Sequence, residues 1–69
     1  MFIVLELQAA ADGVAHLFET FSERASAESR YHTVLAAAAQ SAVPDHSALL
    51  LTGDGSVLRS ETYHHDAAV

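Results

Sequence analysis

Residues 30–42 read Arg-Tyr-His-Thr-Val-Leu-Ala-Ala-Ala-Ala-Gln-Ser-Ala. Alanine and leucine are among the strongest helix formers, so the stretch predicts a helix. Val43 precedes Pro44, and a residue before proline avoids the helical region of backbone conformation. The helix is therefore expected to end at about residue 42.

The start of this helix is indicated by candidate capping residues. Thr20 and Glu23 have the spacing of a capping box, in which the two side chains satisfy free N–H groups of the first turn. Ser22 is the alternative cap. Together with the stop signal, these residues predict one helix over about 23–42.

Four short apolar segments flank the helix, two on each side. Their length and their aromatic, β-branched and leucine side chains indicate strands, at about 2–8, 14–21, 46–52 and 56–64. Asp12-Gly13 and Gly53-Asp54-Gly55 supply the two hairpin turns, because such turns need positive φ. The predicted order is ββαββ, with strand order left open.

The second segment has a competing interpretation, since Leu17, Phe18 and Phe21 also fit one face of a helix. With a strand there, the chain is an α+β protein, a four-stranded antiparallel sheet with one alanine-rich helix packed on it. It forms a single domain over 1–69, and residues 65–69 are expected to fray.

Composition narrows the class of protein. A chain of 69 residues has a small core and usually needs a disulfide, a metal or oligomerisation. There is no cysteine, which excludes disulfides, and the net charge of −6 without lysine opposes binding of nucleic acid polymers or anionic membranes.

The first residues lack the basic start of a signal peptide, and no segment has the roughly 20 apolar residues of a membrane span. We therefore expect a cytoplasmic protein.

The predicted helix has no charged outer side. At 100° per residue, the side expected to face the sheet comprises Ala27, Tyr31, Leu35, Ala38 and Ala42, with Val34 at its edge. The opposite side comprises Ser26, Ser29, Thr33, Ala36, Ala37 and Gln40. Small uncharged side chains suit a helix covered on both sides. The first and third strands are also apolar on both faces, and the simplest cover is another copy of the chain. The predicted oligomer interface is Thr33, Ala36, Ala37 and Gln40.

Motifs for catalysis or metal binding are weak. The histidines at 16, 32, 46, 64 and 65 lack the i, i+4 spacing of a helical metal site, and we interpret them as surface residues. Glu28 and His32 have that spacing, but they are better explained as a helix pair. No serine lies in a nucleophile motif, and no carboxylate pair is evident. We expect neither an enzyme, nor a cofactor, nor a metal.

A ligand site is predicted around the helix. Arg30 and Ser41 share one flank of it, His32 lies on the other, and the Tyr31 hydroxyl can reach a pocket rim. If two helices pack through their small residues, symmetry brings two or more copies of Arg30 together at the subunit boundary. Clustered arginines with histidine and tyrosine suit a planar or phosphorylated small molecule. The candidate ligand-binding residues are Arg30, Tyr31, His32, Ser41 and His46. The plainer alternative is a solvated Arg30 and a His32 that is satisfied within an interface.

The chain resembles a family of short uncharacterised proteins of bacteriophages and prophages. The resemblance rests on Tyr31-His32, the four alanines, Ser41, His46 and the leucines before Gly53, together with Glu6-x-Gln8 and Asp12-Gly13. It covers most of residues 2–58 and implies a phage setting, hence the host cytoplasm. Small phage proteins of this size often counter host immunity.

Two functional hypotheses follow. The first is a homo-oligomer that sequesters a small ligand, such as an immune signalling nucleotide, between subunits. The alternative is an interaction module that binds a host or virion protein through an apolar surface or a free sheet edge.

Overall fold

The computed structural model describes residues 1–65 and contains four strands and one helix. In chain order these are β1 (Phe2–Ala10), β2 (Gly13–Phe21), α1 (Arg24–Ala39), β3 (Asp45–Thr52) and β4 (Val57–His64). All neighbouring strands are antiparallel, in the order β2-β1-β3-β4. The predicted ββαββ fold is therefore confirmed. The strand order, which the sequence left open, places β1 and β3 at the centre of the sheet.

The register divides the sheet into two faces, because side chains alternate along each strand. Val4 and Leu50 are paired and buried, and they lie on the side that α1 covers. The other side has no covering element within residues 1–65, and we call it the open face. Its residues are Ile3, Leu5, Leu7, Ala9, Val14, His16, Phe18, Thr20, Asp45, Ser47, Leu49, Leu51, Val57, Ser60, Thr62 and His64.

The core lies between α1 and the two central strands. It comprises Val4, Ala48 and Leu50 of the sheet and Ala27, Tyr31 and Val34 of the helix. Ala27, Tyr31 and Ala38 are buried as predicted. Val34 is fully part of the core rather than at its edge, and Leu35 is only partly buried.

The helix ends three residues earlier than predicted. Gln40 is its C-cap, and the side chain of Ser41 accepts a hydrogen bond from the Val43 N–H at 3.0 Å. This local turn replaces another helical turn before Pro44. Ala42 is consequently exposed and outside the helix, so its predicted place against the sheet is wrong.

The predicted capping box is also wrong. Thr20 belongs to β2, which continues to Phe21 because that residue pairs with Phe2 and packs on the core. The chain can turn only after this pair, so the N-cap is Glu23. Its backbone is extended, and its side chain makes no capping hydrogen bond.

The strands and turns differ from the predicted ones by one or two residues, and the helical alternative for 14–21 is wrong. Ala10 pairs with Gly13 across a two-residue turn, and Gly13 has a φ of 143°. Gly55 has a φ of 92°, which explains the glycine in the second turn. That turn is closed by Asp54, which accepts hydrogen bonds from the Thr52 hydroxyl and the Ser56 N–H and whose pKa is lowered by them.

The expected fraying at the end of the chain does not apply to His65. Its N–H donates to the Pro44 carbonyl at 2.7 Å, and its ring nitrogen Nε2 donates to the Ala38 carbonyl at 2.7 Å. It therefore joins the end of β4 to the end of α1. The rest of the predicted tail, 66–69, lies outside the described residues. No helix in the described chain is long and apolar enough to cross a membrane.

Candidate functional site

A polar cluster lies beneath the helix, formed by Glu6, Gln8 and His46. The Nε2 of His46 is 2.5 Å from Oε2 of Glu6, and the amide of Gln8 donates to the same oxygen at 3.0 Å. His46 is only 3% exposed, and the Glu6 side chain is 14% exposed. An ionised carboxylate can only accept, so His46 donates through Nε2.

The sheet register brings these residues together. Gln8 and His46 are direct partners on β1 and β3, and Glu6 lies two residues from Gln8 on the same side of the sheet. On β1 they continue the alternation that buries Val4. The second ring nitrogen of His46, Nδ1, is buried and has no hydrogen-bond partner within residues 1–65. A buried polar atom without a partner costs about 1–3 kcal/mol, so this nitrogen lowers the stability that the cluster contributes.

A shallow recess adjoins the cluster between β1 and β2. Its volume is about 200 Å³, and it is lined by Glu6, Gln8, Ala15, His16 and Leu17. The Glu6 oxygen bound by His46 and Gln8 is fixed in place, so the carboxylate presents a preorganised acceptor beside an apolar wall. The recess is smaller than the 300–1,000 Å³ or so that is usual for ligand pockets.

Arg30 is exposed on the flank of α1 that faces β2. Its Nε lies 2.9 Å from a carboxylate oxygen of Glu19, so its charge is already paired within one chain. It does not join the polar cluster. Ser41 lies beyond the end of α1 and caps a turn, so it does not continue the flank that Arg30 begins.

Tyr31 and His32 point to different surroundings. Tyr31 is 3% exposed and packs in the core, while His32 is exposed; their rings meet edge to face with centroids 5.5 Å apart. Burial raises the pKa of the Tyr31 phenol above its ordinary value of 10, Glu61 raises it further, and Arg59 opposes the change. The five predicted ligand residues therefore do not converge on one point in a single chain.

The histidines divide into exposed and bonded groups. His16, His32 and His64 are exposed, and His64 pairs with Asp45. His46 and His65 are not the surface residues expected from the sequence. Within residues 1–65 no three His, Asp or Glu side chains are placed to hold a metal ion. The expected Glu28–His32 pair is also absent there, since Glu28 instead contacts Arg24 and Arg59.

The outer side of α1 is exposed in the single chain. Thr33, Ala36, Ala37 and Gln40, the predicted oligomer interface, all lie there. The Thr33 hydroxyl donates to the Ser29 carbonyl at 3.0 Å, so it is satisfied without a partner chain. We call this surface the outer helix face.

The open face carries exposed apolar side chains. Phe18 is 63% exposed and Val14 65%, and the central leucines are partly exposed. Across its middle, Phe18, Leu5, Leu49 and Ser60 form one row. Among the acidic residues and arginines of the described chain, only Asp45 belongs to this face, and it is paired with His64. The others lie on the helix side of the sheet, on or next to the helix, or in turns.

Comparison with known proteins gives no assignment. The sequence matches no protein-family model, no curated protein and no solved structure at a significant level. The candidate sites therefore rest on the geometry of the chain itself.

Two residues of the polar cluster were not predicted as site residues. Glu6 and Gln8 lie on the same side of β1 as the buried Val4, and this spacing of two was the available signal, since a carboxylate and an amide on the covered side must be buried or paired. The partner could not be identified, because it lies 40 residues away on a strand whose neighbour was unknown.

Proposed function

We propose that this chain is a self-associating protein–protein interaction module, and that two copies pack through their open faces. The observation that carries the proposal is the apolar row on the central strands, which no element within residues 1–65 covers. Large apolar patches on small domains mark sites of association. Two sheets packed face to face, about 10 Å apart, are a common arrangement.

The energetics favour the open face over the outer helix face. Burying a leucine, isoleucine or phenylalanine contributes about 1.5–3 kcal/mol, whereas an alanine contributes about one methyl group, near 0.8 kcal/mol. The open face offers Ile3, Leu5, Leu7, Phe18, Leu49 and Leu51. The outer helix face offers Thr33, Ala36, Ala37 and Gln40. Five of these six apolar side chains are already partly buried, so each contributes less than the full value, but the sheet still offers the larger apolar side chains.

The dimensions of the open face suit a second copy. Four strands about 4.8 Å apart and eight residues long, at about 3.3 Å each, give a flat area of about 500 Å². Two such faces bury about 1,000 Å² in total, which meets the lower limit for a specific interface.

Charge also favours a second copy as the occupant. The chain has a net charge of −6, so two copies repel each other wherever their acidic surfaces meet. The open face is where they can meet with least repulsion, because within residues 1–65 Asp45 is its only acidic residue and lies at the end of β3. A two-fold axis through the face then brings apolar rows together and keeps the acidic surfaces apart.

The test is a charge at the centre of the face. Leu5→Lys places an ammonium group in the middle of the proposed interface, and it leaves the helix side of the sheet unchanged. We expect a lower mass by size exclusion with light scattering. Ser26→Lys is the matched control, since it adds the same charge at an exposed position of α1 outside the open face, and it should keep the wild-type mass. Equal masses for wild type and Leu5→Lys would refute the proposal.

Small-ligand binding is a second proposal, favoured by the recess beside the polar cluster. Glu6 and Gln8 supply polar contacts and Leu17 an apolar wall. A nucleotide exceeds this volume, so a second subunit must complete the site, as the sequence hypothesis of a phage-type sponge for an immune signalling nucleotide requires. Arg30 does not line this recess, but it shares a second, smaller cavity with Glu6 and Leu17, and it must release Glu19 to contact a phosphate.

Thermal shift with a panel of signalling nucleotides tests this second proposal. A ligand at 100 times its dissociation constant adds about 2.7 kcal/mol of stability. Arg30→Gln should abolish any shift, and Arg24→Gln is the control. A shift that survives Arg30→Gln would argue against the predicted site.

A further inference from the structure

The outer edge of β2 is unprotected. β2 is an end strand of the sheet and is nine residues long, so one side of its backbone has unpaired N–H and C=O groups. Residues 11–20 are all exposed. Natural proteins usually protect such edges with lysine, proline, bulges or a covering segment.

The opposite edge shows such protection. On β4, Leu50 pairs with Arg59 and Leu51 with Val57, so Leu58 is an extra residue that interrupts the register. β4 also carries Arg59 and Glu61, both exposed. The two edges of the sheet therefore differ in the features that prevent strand pairing.

Glu19 is the only carboxylate on β2, and Arg30 pairs with it at 2.9 Å. The strand contains no proline, lysine or arginine. Leu17 is 63% exposed even though it lies on the helix side of the sheet, because α1 lies mainly over β1 and β3. The edge is thus long, uninterrupted, apolar and locally neutral.

From these features we infer that β2 is a strand-pairing site, and that its partner is β2 of a second copy. A two-fold axis at Leu17, the middle residue of the strand, places Leu17 opposite its counterpart. Phe18 then lies opposite His16, and Glu19 opposite Ala15, so no like charges oppose each other. The strand is self-complementary in this antiparallel register, and the result is a continuous sheet of eight strands.

This pairing is independent of the open-face packing in the proposed function. The two contacts use different surfaces, and only together do they give a particle of four chains, in which two eight-stranded sheets stack. Each contact alone gives two chains.

The experiment is a four-way comparison of masses by size exclusion with light scattering. Leu17→Glu places carboxylates opposite each other and beside Glu19 of the neighbouring strand, and Leu5→Lys disrupts the open face. We expect four chains for wild type, two for each single variant, and one chain of 7.3 kDa for the double variant. Leu17→Thr, uncharged and favourable in strands, is the matched control and should keep the wild-type mass.

Hydrogen exchange provides a second readout that does not depend on the open face. Every second amide of β2 points away from β1, and pairing protects this set in wild type and in Leu5→Lys. The protection should be lost in Leu17→Glu, while the amides bonded to β1 stay protected. Rapid exchange of the outward amides in wild type would overturn the inference, as would a mass unchanged by Leu17→Glu.

Discussion

His46 donates from Nε2 to Oε2 of Glu6 across 2.5 Å, and the two residues are 40 positions apart in the chain. The bond joins β3 to β1 beneath the helix. Only one nitrogen of the ring is satisfied, since Nδ1 is buried without a partner in the described part of the chain. Removing one partner of this bond would leave the other buried and unpaired, which costs more than removing both.

Removing Glu6 alone should destabilise the fold more than removing both partners. Glu6→Leu leaves two donors, on His46 and Gln8, without an acceptor, and we expect a loss of about 1–3 kcal/mol in the free energy of unfolding. Glu6→Leu with His46→Leu should recover much of this loss. Urea unfolding at fixed chain concentration measures the cycle.

The control for this cycle is the exposed pair of Glu19 and Arg30. Glu19→Leu should cost less than about 1 kcal/mol, because exposed ion pairs contribute little. Additive losses for Glu6 and His46 would contradict a coupled pair.

High pH should weaken the fold through Tyr31. Its pKa is raised in the folded chain by burial, so between the unfolded and folded values the folded state holds a proton that the unfolded state has released. Stability is fully present below pH 10 and falls as pH rises through the folded value. Urea unfolding at pH 9 and 11 should show a larger loss for wild type than for Tyr31→Phe. Equal losses in the two proteins would contradict the assignment to Tyr31.

The start of the helix can be improved. Glu23 is the N-cap but makes no capping bond, whereas aspartate is short enough to accept from the N–H groups of the first turn. Glu23→Asp keeps the charge and should stabilise the chain by about 0.5–1 kcal/mol in thermal or urea unfolding. Glu23→Gln has neither the negative charge nor the short side chain of aspartate, so it should not stabilise the chain. A stabilisation of the same size in Glu23→Gln would show that the loss of charge, rather than capping, is the cause.

A charge on the outer helix face should leave the assembly intact. Ala37→Glu replaces one good helix former by another on an exposed position, so helix stability is little changed. With association through the sheet, light scattering should give the wild-type mass. Dissociation would instead support the interface predicted from the sequence, at Thr33, Ala36, Ala37 and Gln40.

The order of strands and helix was predictable because turns and helix ends are marked by residues with restricted backbone conformations. Gly13 and Gly55 have the positive φ that the turns need, and Pro44 lies shortly after the helix. The exact ends were not predictable. The helix stops at Ala39 because Ser41 bonds to Val43, and β2 reaches Phe21 because of its pair with Phe2, which is a tertiary contact.

The site was harder to predict than the fold, since it depends on strand order. His46 was among the candidate ligand-binding residues, but its partner follows from the pairing of β3 with β1. Tyr31 was predicted on the helix side that faces the sheet, and its ring does lie in the core, where burial of an aromatic side chain contributes most.

The uneven distribution of charge has a practical consequence. Most ionisable groups of a single copy lie on or beside its helix side, while its open face is mostly apolar, so a single copy is amphipathic. If the copies associate as proposed, dilution should expose the open face, and we expect the separated chains to adsorb to air bubbles, plastic and grid films through it. Mild detergent or a high working concentration counteracts this loss of material.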